Sequence, residues 1–328
     1  MDGIININKP SNMTSHDVVR DMRRLLGIKK IGHTGTLDPM ATGVLPICVG
    51  KATRIMDYLD LDFKMYKCTM VLGKTTDTQD IWGELLEEKS TDQICEKDIR
   101  YVLGRFSGVV EQKPPMYSAV RISGKRLYEY ARAGRDVEVK TRKAYIKPIE
   151  IIDMDLKGEE KKITFTVECS KGTYIRTICY DVGQILGCGA TMESLVRLKS
   201  GAFLIEDSID LEKIKTMSRE DIQALVLPAD FPLVHFGKAV LSREMGKKFV
   251  DGWHIPLSDC QITKEPTTTL PVQTELGLGT EYRKAYNLYM PADEQSQGKE
   301  ENVFLGVAIF SEKYKKLVCD KVFYRSSE

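Results

Sequence analysis

The order of periodic segments constrains the fold of this chain more than any other feature. Strand-like apolar alternation or short buried runs occur at 2–7, 44–49, 65–72 and 163–169, and helical periodicity occurs at 15–26 and 174–186. The segments interleave, but they do not follow the regular strand–helix–strand rhythm that builds a doubly wound parallel sheet. The sequence therefore predicts an α+β fold.

Several element ends are marked by particular residues. Ser15 is a candidate N-cap for the first helix, and Gly27 is a candidate stop. The 174–186 helix is expected to bury one face, made of Ile175, Ile178, Val182, Ile185 and Leu186. We also predict a helix over 92–103 capped by Ser90 or Thr91, a helical segment over 53–59, an irregular loop over 31–43 and a polar loop over 73–90.

The length of 328 residues exceeds what one small core normally organises, which suggests two domains. The character of the chain changes after about residue 235. Polar stretches occupy 263–280 and 292–302, and strand-like segments occupy 303–310 and 316–324. We predict a larger domain over 1–235 and a small β-rich domain over 236–328.

Composition excludes several classes of protein. Hydrophobic residues make up 42% of the chain, yet no apolar run is long enough to span a bilayer. The first residues have neither a basic start nor a long apolar stretch, so no secretory signal is expected. The eight cysteines include no C-x-x-C pair, which argues for free thiols and against a zinc site. We expect a cytoplasmic protein with no membrane contact.

Charge is unevenly distributed along the chain. The first 200 residues carry 32 basic and 27 acidic side chains, whereas residues 201–328 carry 16 and 20. The segment 121–143 contains eight basic residues and three acidic ones. Either this strip is an ordinary solvated surface, or it is where a polyanion binds.

The segment 32–46 carries the strongest chemical signal. Its glycines permit close approach of the backbone to a ligand, and Pro39 restricts Asp38 to extended conformations. A carboxylate on such a loop, beside the buried apolar run 44–49, is fixed in position by a rigid scaffold, as a reactive side chain requires. The alternative is a turn in which Asp38 only caps a backbone N–H.

Five ordered blocks resemble one family. The stretch Gly32-His33-Thr34-Gly35-Thr36-Leu37-Asp38-Pro39-Met40-Ala41-Thr42-Gly43-Val44-Leu45 matches every fixed position of motif II of the bacterial tRNA pseudouridine-55 synthases, the TruB family. The other blocks are Asn8-Lys9-Pro10 with Thr14-Ser15-His16-Asp17, Lys64-Met65-Tyr66-Lys67 with Leu72-Gly73-Lys74-Thr75-Thr76-Asp77-Thr78, Pro115-Met116-Tyr117-Ser118-Ala119 with Gly124-Lys125-Arg126-Leu127-Tyr128-Glu129-Tyr130-Ala131, and Cys169-Ser170-Lys171-Gly172-Thr173-Tyr174-Ile175-Arg176-Thr177. The resemblance covers about residues 8–200 and fades after about 230.

The resemblance implies a pseudouridine synthase fold. That fold has a central mixed, largely antiparallel sheet flanked by helices and loops. The family also implies an RNA-gripping insertion at about 107–150 and a PUA-like C-terminal domain over residues 236–328.

Carried over by position, the resemblance assigns roles to seven residues. Asp38 would be the catalytic aspartate, Tyr66 would stack on the flipped base, and Arg176 would pair with Asp38. His33 would help hold the opened stack, Leu195 would wall the pocket, and Lys9 and Pro10 would support the loop. Helix geometry places Arg176 at the edge of its helix's buried face, and the basic excess of 121–143 makes Lys125 and Arg126 candidates for phosphate contacts. Read without the family, Tyr66 is equally well a core tyrosine and Arg176 a surface arginine.

The implied reaction is an isomerisation of uridine 55 in the tRNA T-loop, an intramolecular transfer that needs no cofactor or metal. Whether Asp38 attacks C1′ or C6, or takes a proton from C2′, is left open by residue types. No second acid stands out as a partner for Asp38 in the matched blocks, which argues against a two-carboxylate glycosidase mechanism. We expect a monomer that binds the T-stem-loop without a guide RNA. The alternatives are a T-arm-binding folding chaperone and a relative acting on another RNA.

Overall fold

The computed structural model describes residues 1–292 and 302–324. Two sheets organise these residues, one of eleven strands and one of six, and two short hairpins accompany them. Among the described residues, no helix is both long enough and apolar enough to cross a membrane.

The first 235 residues hold fifteen strands and six helices. The strands are β1 Gly3–Lys9, β2 Ile31–His33, β3 Thr42–Val49, β4 Lys64–Leu72, β5 Lys74–Thr76, β6 Leu85–Glu88, β7 Gly108–Gln112, β8 Arg121–Ile122, β9 Lys125–Arg126, β10 Arg142–Ile146, β11 Glu150–Asp155, β12 Lys162–Cys169, β13 Ala190–Ser200, β14 Phe203–Leu204 and β15 Ile209–Asp210. The helices are α1 Ser15–Leu26, α2 Glu96–Gly104, α3 Leu127–Arg132, α4 Ile175–Leu186, α5 Leu211–Lys215 and α6 Arg219–Ala224, and a 3-10 helix spans Gly50–Leu61.

The eleven-stranded sheet is mixed and largely antiparallel. Its main path runs β15-β1-β3-β13-β4-β12-β10-β7, with β2, β11 and β14 attached to β3, β12 and β13. Only β1 with β15 and β3 with β13 pair in parallel. The predicted α+β class and the mixed central sheet are therefore confirmed. The predicted insertion at 107–150 contributes β7 and β10 to this sheet, and its segment 113–141 connects these two strands outside the sheet.

Helix α1 begins one residue differently from the prediction. Thr14, not Ser15, is its N-cap, and Thr14 and Asp17 form a reciprocal capping box. Gly27 ends the helix in a left-handed conformation, as predicted. The Ser15 hydroxyl instead bonds the backbone of Leu37, with Leu37 N donating to it at 2.9 Å. Ser15 thus ties α1 to the motif loop, residues 34–41 between β2 and β3.

Three other boundaries were predicted wrongly. The polar segment 73–90 contains the β5–β6 hairpin, although its residues lack apolar alternation. Helix α2 begins at Glu96 rather than near residue 92, because Asp98 accepts the Cys95 N–H at 3.0 Å and caps the helix there. The 31–43 loop opens with strand β2, which pairs with β3.

Helix α4 buries a face slightly rotated from the predicted one. Ile175, Ile178 and Val182 are buried, but Ile185 is exposed. The reason is Gly183, which packs against the start of β13 so closely that a Cβ there would lie 1.9 Å from Ala190 N. Two residues turn a helix by about 200°, so Ile185 faces away from that contact.

The remaining described residues build the second sheet. Its elements are β16 Gly237–Leu241, α7 Arg243–Val250, β17 Ile255–Pro256, β18 Cys260–Lys264, α8 Pro271–Thr274, β19 Ala285–Pro291, β20 Asn302–Ser311 and β21 Lys316–Val322, with 3-10 turns at Leu257–Asp259 and Thr280–Lys284. The strand order is β17-β21-β20-β19-β16-β18. The predicted strands at 303–310 and 316–324 correspond to β20 and β21. Most of the predicted polar stretch 292–302 lies outside the described residues.

The two sheets share a hydrophobic core. Ile4 and Val44 of the first sheet belong to the same buried cluster as Ala285 and Val307 of the second. The buried Tyr58 also donates its hydroxyl hydrogen to Asp320. The division at residue 235 stays a prediction, since burial is continuous across it.

Candidate active site

The motif loop joins β2 to β3 and depends on a glycine. Gly43 adopts φ +102°, and a Cβ there would lie 2.3 Å from the carbonyl oxygen of Arg197. That contact is the parallel pairing of β3 with β13, in which Gly43 faces Arg197. Any larger residue at 43 would push the loop away from β13, which also carries Leu195.

Lys9 holds the loop from below. Its side chain is fully buried, and its ammonium donates to the carbonyl oxygens of Pro10 at 2.8 Å, Met13 at 2.7 Å and Pro39 at 3.1 Å. Burial lowers the pKa of Lys9 to about 8, against the opposing attraction of Asp38. The ammonium thereby links Pro39, the residue after Asp38, to the end of β1.

Arg197 is a second internal brace, and the sequence analysis gave it no role. It is fully buried, and its guanidinium donates to Val44 O at 2.6 Å and to Gly35 O at 3.2 Å. The planar fork therefore spans the start of β3 and the motif loop, as a single ammonium could not. Its position two residues after Leu195, the predicted pocket wall, was the available signal.

Asp38 and Arg176 meet directly. Arg176 Nε lies 2.9 Å from Asp38 Oδ2. The same guanidinium donates from Nη1 to Thr78 O at 2.8 Å and from Nη2 to Tyr117 O at 3.0 Å. The Arg176 side chain is 5% exposed and that of Asp38 is 38% exposed. Arg176 is thus buried rather than at the edge of the helix face, while the carboxylate it holds stays open to a ligand.

A second acid accompanies Asp38 from outside the matched blocks. Asp80 Oδ2 lies 3.5 Å from Arg176 Nη1, whereas Asp38 meets Nε of the same guanidinium. Burial raises the pKa of Asp80, and the neighbouring Asp38 charge adds to the shift, while Thr78 and Arg176 oppose it. Asp80 lies two residues beyond the matched Thr76-Asp77-Thr78 stretch, and only the folded chain brings it to Arg176.

A small pocket of about 240 Å³ opens beside this pair. Asp38, Tyr66, Arg176 and Leu195 all line it. Tyr66 is largely buried, and this burial raises the pKa of its hydroxyl, which stays protonated at neutral pH. Lys64, also on the wall, has its pKa lowered to about 8 by burial. The pocket combines an aromatic face, an apolar wall and one accessible carboxylate.

The small pocket adjoins a wider cavity of about 1040 Å³, since Asp38 and Arg176 line both. His33 and Arg126 line the wide cavity, but Lys125 is an exposed side chain outside its wall. Burial lowers the pKa of His33 to about 4, and its ring meets His16 edge-on at 5.7 Å. His33 is therefore neutral at neutral pH and offers a ring face rather than a charge.

Within residues 1–292 and 302–324, no three His, Cys, Asp or Glu side chains gather as a metal site would require. Of the described residues, the carboxylates that line the pocket or the wider cavity are Asp38 and Asp80, and both face the guanidinium of Arg176. The residues of the site thus offer charge pairing, stacking and proton transfer.

Two family models and many curated relatives match the chain. Residues 23–175 match the TruB family pseudouridylate synthase N-terminal domain, and residues 176–234 match the tRNA pseudouridylate synthase B C-terminal domain. A tRNA pseudouridine synthase B from Clostridium tetani is 46% identical over 252 residues, covering 77% of this chain and 85% of the relative. One from Geobacillus thermodenitrificans is 44% identical over 256 residues, with 77% and 85% covered.

Solved structures support the fold independently. The archaeal box H/ACA sRNP Nop10-Cbf5 complex contains a chain that matches with a TM-score of 0.67 and 22% identity, covering 98% of this chain and 86% of that one. A Cbf5-Nop10-Gar1 complex matches with a TM-score of 0.67 at 25% identity, covering 98% and 85%. With the family models spanning residues 23–234 and relatives at 44–46% identity, the chain belongs to the TruB family of pseudouridylate synthases.

Proposed function

We propose that this chain converts uridine 55 in the T-loop of tRNA to pseudouridine, without a guide RNA. The curated relatives carry the name tRNA pseudouridine synthase B, which supports tRNA as the substrate. The motif around Asp38, matched at every fixed position, supports the uridine at position 55. The free T-stem-loop is then a sufficient substrate.

The reaction breaks the N1–C1′ bond, turns the base and joins C5 to C1′. A proton leaves C5 and N1 gains one, so that atoms and electrons balance without an oxidant or a leaving group. The target must first leave the loop stack, at a cost of about a few kcal/mol. Stacking on an aromatic face such as Tyr66 offsets about 1–3 kcal/mol of that cost.

The observation that carries this proposal is the Asp38–Arg176 pair at the mouth of a pocket lined by Tyr66 and Leu195. The guanidinium of Arg176 holds the Asp38 carboxylate through Nε at 2.9 Å, a paired contact that a planar fork can make while its other nitrogens bind elsewhere. Asp38 then acts as nucleophile or base on a nucleotide that has entered the pocket. The aromatic and apolar walls exclude water from the base.

The decisive experiment is tritium release from C5-labelled uridine in tRNA and in an isolated T-stem-loop. We expect catalytic release from both RNAs with the purified chain alone. The control is a T-stem-loop that has cytidine in place of the target uridine and carries the C5 label on its other uridines. It should release no tritium. Tight binding of the T-arm without any release would instead identify a folding chaperone.

Tyr66 gives a graded prediction. Tyr66→Phe keeps the ring, so any loss reports on the buried hydroxyl. Tyr66→Leu removes the aromatic face, and we expect an additional loss of about 5- to 150-fold in kcat/KM, equivalent to one stacked base. Single-turnover and steady-state rates on the T-stem-loop measure both changes. Equal activity of the Phe and Leu variants would make Tyr66 a packing residue only.

The basic strip 121–143 gives a second prediction. Arg121, Arg126 and Arg132 line the wide cavity. Replacing Lys125 and Arg126 together by alanine should reduce the slope of log K against log salt by about one to two units, because fewer counterions are released on binding. Lys247→Ala with Lys248→Ala removes the same charge from α7 and is the control. An equal change in both double variants would contradict this placement of the RNA.

A further inference from the structure

Trp82 is a large apolar side chain left open to solvent beside the active site. It lies on the turn of the β5–β6 hairpin, and 45% of it is exposed. Trp82 lines the wide cavity together with Asp38, Arg176 and His33, but it is absent from the wall of the small pocket that contains Tyr66. An exposed tryptophan on a cavity wall is a candidate contact site for a ligand, because its apolar ring has no packing partner on the solvent side.

The turn that presents Trp82 is tightly held. Asp80 Oδ1 accepts the Thr78 hydroxyl at 2.6 Å and the Trp82 N–H at 3.3 Å. Gly83 N donates to Asp80 O at 3.2 Å, and a Cβ at Gly83 would lie 2.2 Å from Thr78 Oγ1. Because Asp80 also faces Arg176, the backbone of Trp82 is anchored to the same guanidinium that holds Asp38.

The wall of this cavity carries the chemistry of a single-stranded RNA site. Arg126 and Arg132 place their guanidinium groups 5.9 and 5.4 Å from the ring centre of Tyr128, and Arg121 lies on the same wall. Cations that follow a phosphate backbone and aromatic rings that receive bases are the two parts of such sites. Trp82 provides an aromatic face that does not belong to the target pocket.

We propose that Trp82 is a stacking platform for a second unpaired base of the RNA, distinct from the uridine that enters the Tyr66 pocket. This inference rests on the proposed function, since it requires that an RNA loop occupy the cavity. Extracting one base from a loop removes a stacking partner from its neighbours. A ring fixed beside the pocket entrance replaces that partner and holds the loop open.

The first test uses fluorescence, because the chain contains two tryptophans, Trp82 and Trp253. Trp253 is an exposed residue just after α7, so Trp253→Phe leaves Trp82 as the sole indole probe. Titrating this variant with T-stem-loop RNA should quench its emission with saturation. The Trp82→Phe protein, which retains Trp253, should show no saturable change. Unchanged Trp82 emission at saturating RNA would overturn the proposal.

The second test separates stacking from general packing. Trp82→Ala should raise the Kd for the T-stem-loop by about 5- to 150-fold, with a smaller effect on the single-turnover rate at saturation, whereas Trp82→Tyr should largely retain affinity. Ile81→Ala is the matched control. Ile81 is an exposed apolar residue of the same turn but is absent from the cavity wall. Equal losses at both positions would contradict a specific platform.

Abasic substitutions then identify the stacked base. An abasic substitution at one unpaired position other than the target should weaken RNA binding by the wild-type protein but should not weaken binding by Trp82→Ala any further. If the loss of affinity from every abasic substitution simply added to the loss from Trp82→Ala, no base would stack on Trp82 and the proposal would be overturned. Tritium release by the Trp253→Phe protein is the independent check. No release means that the proposed function fails, whereas normal release with unquenched Trp82 rejects the platform alone.

Discussion

Replacing Asp38 by asparagine is expected to abolish pseudouridine formation while leaving RNA affinity within about tenfold of wild type. The amide keeps the size of the side chain and its contact with Arg176, so the loop that Lys9 and Arg197 hold should not move. It cannot supply the negative charge that a nucleophile or base needs. Single-turnover conversion of saturating T-stem-loop RNA, with filter binding in parallel, measures both quantities.

Asp80→Asn is the matched control for Asp38→Asn, because both carboxylates face Arg176. Asp80 is the more buried of the two and lines only the wide cavity, not the small pocket. Its loss should slow the reaction through misplacement of Arg176 but leave measurable product. Multiple turnover by Asp38→Asn would contradict the catalytic role of Asp38. Complete inactivity of Asp80→Asn, with activity retained in Asp38→Asn, would make Asp80 the catalytic carboxylate instead.

Arg176→Lys is expected to lower the single-turnover rate by about 10²-fold or more, with little change in RNA affinity. Lysine keeps the charge but has one nitrogen in place of three. Arg176 uses Nε for Asp38, Nη1 for Thr78 O and Asp80, and Nη2 for Tyr117 O. One ammonium cannot span these partners, so Asp38 would lose its fixed position.

Arg121→Lys is the control for that substitution. Arg121 is exposed on the wall of the wide cavity, where a point charge can replace a guanidinium near phosphate. We expect its single-turnover rate to remain within about twofold of wild type. If Arg176→Lys were equally active, Arg176 would only neutralise charge, and the geometric role of its fork would be refuted.

Local signals in the sequence located most of the individual elements. The Gly27 stop of α1, the helical span of α4, the buried run of β3 and the alternation of β4 and β12 follow from neighbouring residues, since helices and strands respond to patterns of period 3.6 and 2. Errors arose where a few polar residues decided the boundary, as at Cys95 and Asp98 of α2, or where a weakly patterned hairpin, β5–β6, is held by the rest of the fold.

The sequence by itself determined the α+β class, the loop that carries Asp38 and, through its motifs, the family. Only the tertiary structure decided that Asp80 faces Arg176, that Arg197 is a buried brace and that Trp82 lines the cavity. The physical reason is that these relations join residues that lie far apart along the chain, and nothing in a local pattern records which carbonyl or carboxylate a guanidinium will meet. A charged group can be buried only where the fold supplies every partner, so its environment is settled when distant strands and loops come together.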